Sequence, residues 1–234
     1  MGIFDRWRRG PGRPTDDAPT TETAQPDDDG VDEELRTIIG PGFTDFESAV
    51  QAAEELIEDA GGDVRAARSR VRSIWDARIA ELATGVGPSD HDRLTGGFAV
   101  LERDHGFVTA MAAGFDKGEL WDELRERRRS AGGEAWAGAG FHQQDADRLA
   151  TTPATLYLLF SVFAPNPATP AHVVEAAMRS EHGRNAMAQA DAGAAAAVLV
   201  EVLRDAGLEV DWDGSPSSRV RVLVSDWRRP LPAA

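Results

Sequence analysis

Residues 155–163 read TLYLLFSVF, and Pro165 closes the run. A membrane helix needs about 20 apolar residues, so a run this short does not span a bilayer. Its length and its content of aromatic and branched residues fit a strand. Because both of its faces are apolar, the strand belongs in the middle of a sheet. The neighbouring stretches follow from this one. Upstream, AWAGAGFHQ (135–143) and GFVTAM (106–111) read as two further strands. Between them, 117–129 reads as a helix with Leu120, Trp121 and Leu124 turned inward. Downstream comes the Pro-rich link APNPATP, where Thr169 and Pro170 fit an N-cap and a first-turn proline. A helix over 192–206 then stops at Gly207. The last unit is a hairpin, LEVDW (208–212) turning through DGSPS into RVRVLV (219–224).

That order of elements predicts an α+β fold: a ferredoxin-like βαββαβ sheet with an added C-terminal hairpin strand. A helical segment precedes it and is expected to pack on the sheet. Thr44 followed by Glu47 suggests a capping box for a helix over 45–59, with Phe46, Val50, Ala53 and Ile57 on one face. A second helix, 64–83, carries Val64, Val71, Trp75, Ile79 and Leu82 on its apolar face. Ser89 and Asp92 cap a third helix, which presents Leu94, Phe98 and Leu101. Three parts result: a disordered acidic tail (1–30), a helical segment (31–87) and an α+β domain (88–234). Residues 31–229 are also readable as one compact unit.

Composition narrows the function. The chain has 234 residues, 41% of them hydrophobic, and no cysteine. Disulfides, thiolate zinc sites, iron–sulfur clusters and thiol nucleophiles are therefore excluded. The start, MGIFDRWRRGPGRP, holds no apolar signal core, and Arg6 stands where a myristoylation signal wants Ser or Thr. The expectation is a cytoplasmic, soluble protein without a membrane span. The net charge of −15 disfavours generic nucleic-acid binding. Nine acids and no base fall between Pro14 and Glu34, however, so the rest of the chain is only mildly acidic. Before that tail, Gly2 to Arg9 could form one amphipathic turn with Ile3, Phe4 and Trp7 on one side.

Two polar clusters stand out. In GFHQQD (140–145), alternation puts His142 and Gln144 on one strand face, and Asp145 is placed to cap a short helix over 146–150. The other reading aims His142 and Asp145 into a cleft, as base and orienter or as metal ligands. In DWDG (211–214), Asp211 faces outward opposite Arg219 and Arg221 as a cross-strand charge ladder, and Asp213–Gly214 signals a turn. A catalytic pairing of Asp211 or Asp213 with His142 is the alternative. The run RERRR (125–129) ends a helix that begins with acids, which complements the helix dipole; a phosphate or RNA contact is the competing reading. Phosphate-loop, dinucleotide, serine-hydrolase and zinc-protease motifs are absent.

The chain resembles a bacterial family, domain of unknown function 6891, from about Val31 to Arg229. The resemblance rests on GFTDFESAV, DRLTGGFAVLERDHGFV, GFHQQD, GLEVDWDGSPSSRVRV and the following DWRR. The family pattern G-Y-x-F-x-H-x-Q-D is matched at Gly138, partly at Phe141, and at His142, Gln144 and Asp145. Ala139 and Gly140 depart from it, standing where bulkier residues are expected. Many members carry a cysteine cluster after the first strand, where this chain has AAGFDKGEL. The resemblance adds weight to His142, Gln144 and Asp145 and names no reaction. The expectation is a non-catalytic binding or regulatory module with no cofactor and no metal. It would bind an unknown protein or small molecule through His142, Gln144, Asp145, Asp211 and Asp213. The alternative is a metal-dependent or acid–base hydrolase built on the same residues.

Overall fold

The computed structural model describes residues 28–234. The Gly2–Arg9 turn and nearly all of the acidic tail lie outside them. The described chain divides into two compact units, 28–84 with 230–234, and 85–229.

The first unit is helical. Helix α1 (Asp28–Ile39) starts inside the stretch that composition reads as tail. Val31, Leu35, Ile38 and Ile39 recur at helical spacing and are buried, which outweighs the polarity of the neighbouring acids. Helix α2 (Phe46–Asp59) buries Phe46, Val50, Ala53 and Ile57, as the periodicity predicts. Its cap is Asp45 rather than Thr44: Asp45 accepts a hydrogen bond from the Ser48 backbone N–H at 2.9 Å. A short 3-10 turn leads into α3 (Ala67–Leu82), which buries Ala67, Val71 and Trp75. Val64 and Ile79, expected on the inner face, are 41% and 49% exposed, so the buried stripe is narrower than the pattern implied. Phe46 and Trp75 meet edge to face at 5.3 Å, and Arg72 lies over the Phe46 ring at 4.1 Å. Arg65 and Arg68 pair with Asp63 and Glu47.

The second unit begins with α4 (Asp90–His105). Ser89 and Asp92 form the expected reciprocal capping box. Gly106, in the left-handed region at φ 67°, turns the chain into β1 (Phe107–Ala110). There follow α5 (Lys117–Ser130), β2 (Ala137–Gly140), the single turn α6 (Gln143–Ala146) and β3 (Ala154–Val162). Helices α7 (Ala171–Met178) and α8 (Glu181–Asp205) lead to the hairpin β4 (Glu209–Asp211) and β5 (Val220–Val224). The cap position before α7 is Pro170, not Thr169. Helix α8 begins well before residue 192, capped by Ser180, which accepts from the Gly183 N–H at 3.0 Å. By length and composition α8 could cross a membrane. Here it packs against α4, β3 and β4, and its Ala195, Ala196, Leu199 and Leu203 are buried there.

The fold is thus mixed α+β, with a five-stranded sheet in the order β1-β2-β3-β5-β4. β1 and β2 are parallel, and every other pair is antiparallel. The ferredoxin-like arrangement needs a correction. That topology splits its βαβ unit with an intervening strand, whereas here β1 hydrogen-bonds directly to β2. The sequence AGAG permits this approach. A Cβ on Gly140 would lie 2.3 Å from the Ala110 carbonyl oxygen, and one on Gly138 would meet the Phe163 ring at 2.8 Å.

β3 is the third strand of five, central as its apolar run predicts. Its two halves have different duties. Residues 159–162 pair with β2, and residues 154–158 pair with β5. On β1, Val108 and Ala110 pack with Leu120 and Leu124 of α5. The alternate residue Thr109 donates its hydroxyl to Glu102 of α4 at 2.6 Å. Side chains alternate across a strand, so α5 and α4 cover opposite faces of the sheet. Leu159 and Phe163 join the α5 cluster, which places the odd-numbered residues of β3 on the α5 face.

Two glycine substitutions check this account by chemical denaturation. Gly140→Ala drives a methyl into the β1 backbone and should cost about 1–3 kcal/mol or more, as overpacking does. Gly96→Ala, at an exposed α4 position with nothing within 4 Å, should leave stability unchanged or raise it by up to about 1 kcal/mol.

Candidate functional site

β2 ends at Gly140, and the chain then runs beside the β1–α5 loop. The Phe141 N–H donates to the Ala110 carbonyl, the Ala113 N–H to the Phe141 carbonyl, and the Gln143 N–H to the Gly114 carbonyl. These bonds hold His142 in extended backbone at φ −94°, the position before the first turn of α6. Asp145 is not the helix cap that the sequence suggested. It sits within α6, 3% exposed, beside a His142 that is 5% exposed.

The pair is close but incompletely satisfied. His142 Nε2 lies 3.2 Å from Asp145 Oδ2, within ion-pair range. The orientation fails hydrogen-bond geometry, so Asp145 Oδ2 is buried without a hydrogen-bond partner among the described residues, as is the other ring nitrogen, His142 Nδ1. Two arginines approach the same carboxylate, Arg219 Nη1 at 3.5 Å and Arg148 Nε at 3.9 Å. Both guanidinium groups also lie over the ring of Tyr157, the one tyrosine of the chain, at 6.0 and 5.6 Å. Burial lowers the His142 pKa from its ordinary value, Asp145 opposes that shift, and Arg219 reinforces it. The shift favours the neutral imidazole. A buried carboxylate among two guanidinium groups and a neutral imidazole is an electrostatic anchor: it offsets positive charge that would otherwise face the sheet alone.

The remaining sequence candidates lie apart from this anchor in their contacts. Gln144 is exposed. Asp211 pairs with Arg221 across the hairpin, in the register that joins the two residues. Arg219, expected in the same charge ladder, turns instead to Asp145. Asp213 folds the hairpin loop: it accepts from the Ser215 N–H at 2.8 Å and the Ser218 hydroxyl at 2.7 Å. Trp212 closes that loop by donating from Nε1 to the Ser215 carbonyl at 3.0 Å. No three His, Asp or Glu side chains gather as a metal centre among the described residues. The RERRR arginines are engaged as well. Arg125, Arg127 and Arg129 pair with Asp122, Glu123 and Glu126, and Arg128 donates to the Ala135 carbonyl.

A groove of about 290 Å³ lies where β3 outruns its partner. β5 pairing stops at Leu158, opposite Val220, and the hairpin loop replaces it along Leu159, Phe160 and Ser161. Lys117 and Trp121 come from the first turns of α5, and Pro216 and Arg219 come from the loop. Arg219 therefore has two environments. It leans on the buried Asp145 and lines the groove. Sequence reasoning missed this site because its lining comes from three distant segments. One signal was available: Lys117 is the sole lysine among 25 basic residues.

A mixed α+β protein with a five-stranded sheet and this groove is the class that the fold defines. The chain belongs to the family described as domain of unknown function (DUF6891), whose model matches residues 24–231. No curated protein and no solved structure matches it.

The buried histidine predicts a pH dependence. A histidine held below its unfolded pKa near 6.5 binds fewer protons folded than unfolded. Stability is then fully present above pH 6.5 and falls as pH drops through the folded pKa. His91 is depressed in the same sense, by burial and by Arg229. Unfolding measured from pH 7.5 down to about 5, where most carboxylates stay ionised, should show this loss. In His142→Gln the slope should be shallower, with the His91 share remaining.

Proposed function

We propose that this protein is a non-catalytic, cytoplasmic ligand-binding module whose working surface is the groove between β3, the start of α5 and the β4–β5 loop. The observation that carries this reading is the meeting there of Lys117 and Arg219 with apolar walls. Small-molecule sites fix a ligand with a few convergent polar groups beside apolar surface; here the polar share is the larger, with Ser161, Ser217 and Ser218 joining the two cations beside Trp121, Leu159, Phe160 and Pro216. His142 and Asp145 then serve beside it: Asp145 steadies Arg219, and the flanking Phe141 and Gln143 brace the loop that delivers Lys117. The absence of cysteine fits a reducing compartment.

The hydrolase reading draws on the 3.2 Å approach of His142 to Asp145. Their burial weighs against it, because a general base must come within hydrogen-bond reach of the proton it takes from substrate. His142 Nδ1 is shielded and Nε2 faces the carboxylate.

Amide NMR on the full chain with a fragment library tests the binding reading. Shift changes should cluster on Lys117, Trp121, Ser161 and 216–219 for at least one fragment. Asp145→Asn should weaken that fragment while Asp211→Asn leaves it unchanged. Ester or phosphoester turnover that disappears in His142→Gln would replace the binding reading with the hydrolase.

A further inference from the structure

The ligand's chemical class follows from which lining groups are already engaged and which are not. The groove lining contains two cations and no acid. Lys117 is exposed at the start of α5 and makes no ion pair among the described residues. Arg219 pairs with one acid among the described residues, Asp145 at 3.5 Å, and its N–H donors make no hydrogen bond to the described residues. The guanidinium can present up to five such donors in a fixed fork, the geometry that suits carboxylate and phosphate oxygens. Ser161 adds, on the α5 face of β3, a hydroxyl without a side-chain hydrogen bond among the described residues. Ser218, by contrast, is committed to Asp213, and Ser217 to Ser215.

The other walls are apolar and partly aromatic. Trp121 is fixed edge to face against Phe163, so its ring is held in place before any ligand arrives, while the Phe160 ring turns to the other face of β3 and packs on Trp212. Leu159 and Pro216 complete this side. Such a surface takes a flat apolar body with little loss of side-chain freedom. A volume near 290 Å³ sits at the small end of ligand pockets, which run from about 300 Å³ upward.

We infer that the groove binds a small organic anion, its carboxylate or phosphate held between Lys117 and Arg219 and its planar apolar part against Trp121. The inference rests on the groove being the binding site. Both headgroups share the required chemistry, negative oxygens in bidentate reach of a guanidinium with an ammonium alongside. Asp145 is a positioning residue in this scheme: it holds Arg219 at the rim and does not touch the ligand.

The sole lysine supplies a site-specific readout. The full chain is titrated calorimetrically with phenyl phosphate, benzoate, inorganic phosphate and benzyl alcohol. In parallel, acylation of Lys117 by acetic anhydride is followed by mass spectrometry. Phenyl phosphate or benzoate should bind and slow the acylation. Lys117→Gln and Arg219→Gln should each weaken binding roughly tenfold, as loss of a charged hydrogen bond does. Trp121→Ala should weaken the phenyl anions and leave inorganic phosphate unchanged. The ratio of phenyl phosphate to benzoate affinity then assigns the headgroup. Benzyl alcohol binding as tightly as the anions, with Lys117 protected, would overturn the anionic class and leave the groove standing. Inorganic phosphate binding as tightly as phenyl phosphate would overturn the aromatic half. Anion binding that neither protects Lys117 nor responds to the variants would overturn the site itself. So would no binding by any probe up to about 10 mM, weaker than the range of useful affinities.

Discussion

The nine-residue strand β3 must satisfy two different partners, and the second unit is arranged around that constraint. Its C-terminal half pairs with β2 and its N-terminal half with β5, and the two pairings overlap hardly at all. Each half therefore leaves one edge that the ladder alone does not fill. A buried backbone edge without partners is costly, so something must cover it. Beyond Leu158 the cover is the β4–β5 loop, tied into shape by Asp213 and Trp212. The groove is what remains between that loop, the strand and the start of α5. Its position follows from the register of two hairpin-like pairings, one residue past the point where the second ends.

The small residues of β2 matter for the same reason. With side chains on Gly138 and Gly140, β1 could not lie directly beside β2, nor could Phe163 and Trp121 close over it. That approach fixes the β1–α5 loop against Phe141 and Gln143. Those contacts set where α5 begins and so where Lys117 stands. The bare backbone at Gly138 and Gly140 thus has a local consequence: β1 and β2 pack through close backbone contact.

Electrostatics link the two layers. Asp145 is buried, so its charge is expensive unless opposed, and Arg219 and Arg148 oppose it from the surface side. Neither geometry is tight, and one carboxylate oxygen stays without a hydrogen bond. The guanidinium of Arg219 therefore keeps most of its donors for another acceptor. A fully satisfied bidentate pair would have used those donors internally. The incomplete satisfaction inside and the open donors outside are two sides of one arrangement.

Much of this architecture was legible in the sequence, because the signals concerned are local. The apolar run at 155–163, the Ser89–Asp92 capping box, the hairpin turn at Asp213–Gly214 and the polar termini of α5 report backbone preferences that act over a few residues. The α1 pattern Val31, Leu35, Ile38, Ile39 was equally local, but the acids around it masked it. Strand order was not legible: periodicity says that a segment is a strand and not which strand it will join. The same holds for the site. His142 and Asp145 drew notice because they are close in sequence, and DWDG because it is dense in charge. Their contacts then gave Asp145 to Arg219, Asp211 to Arg221 and Asp213 to its own loop. By itself the sequence determined the strands and most helices of the second unit, though not where α6 and α8 begin, together with the absence of thiol chemistry and the central place of one strand. Only the tertiary structure decided that Lys117, Ser161 and Arg219 share one groove, because pairing between distant segments is set by the packing of whole faces and no short stretch encodes it.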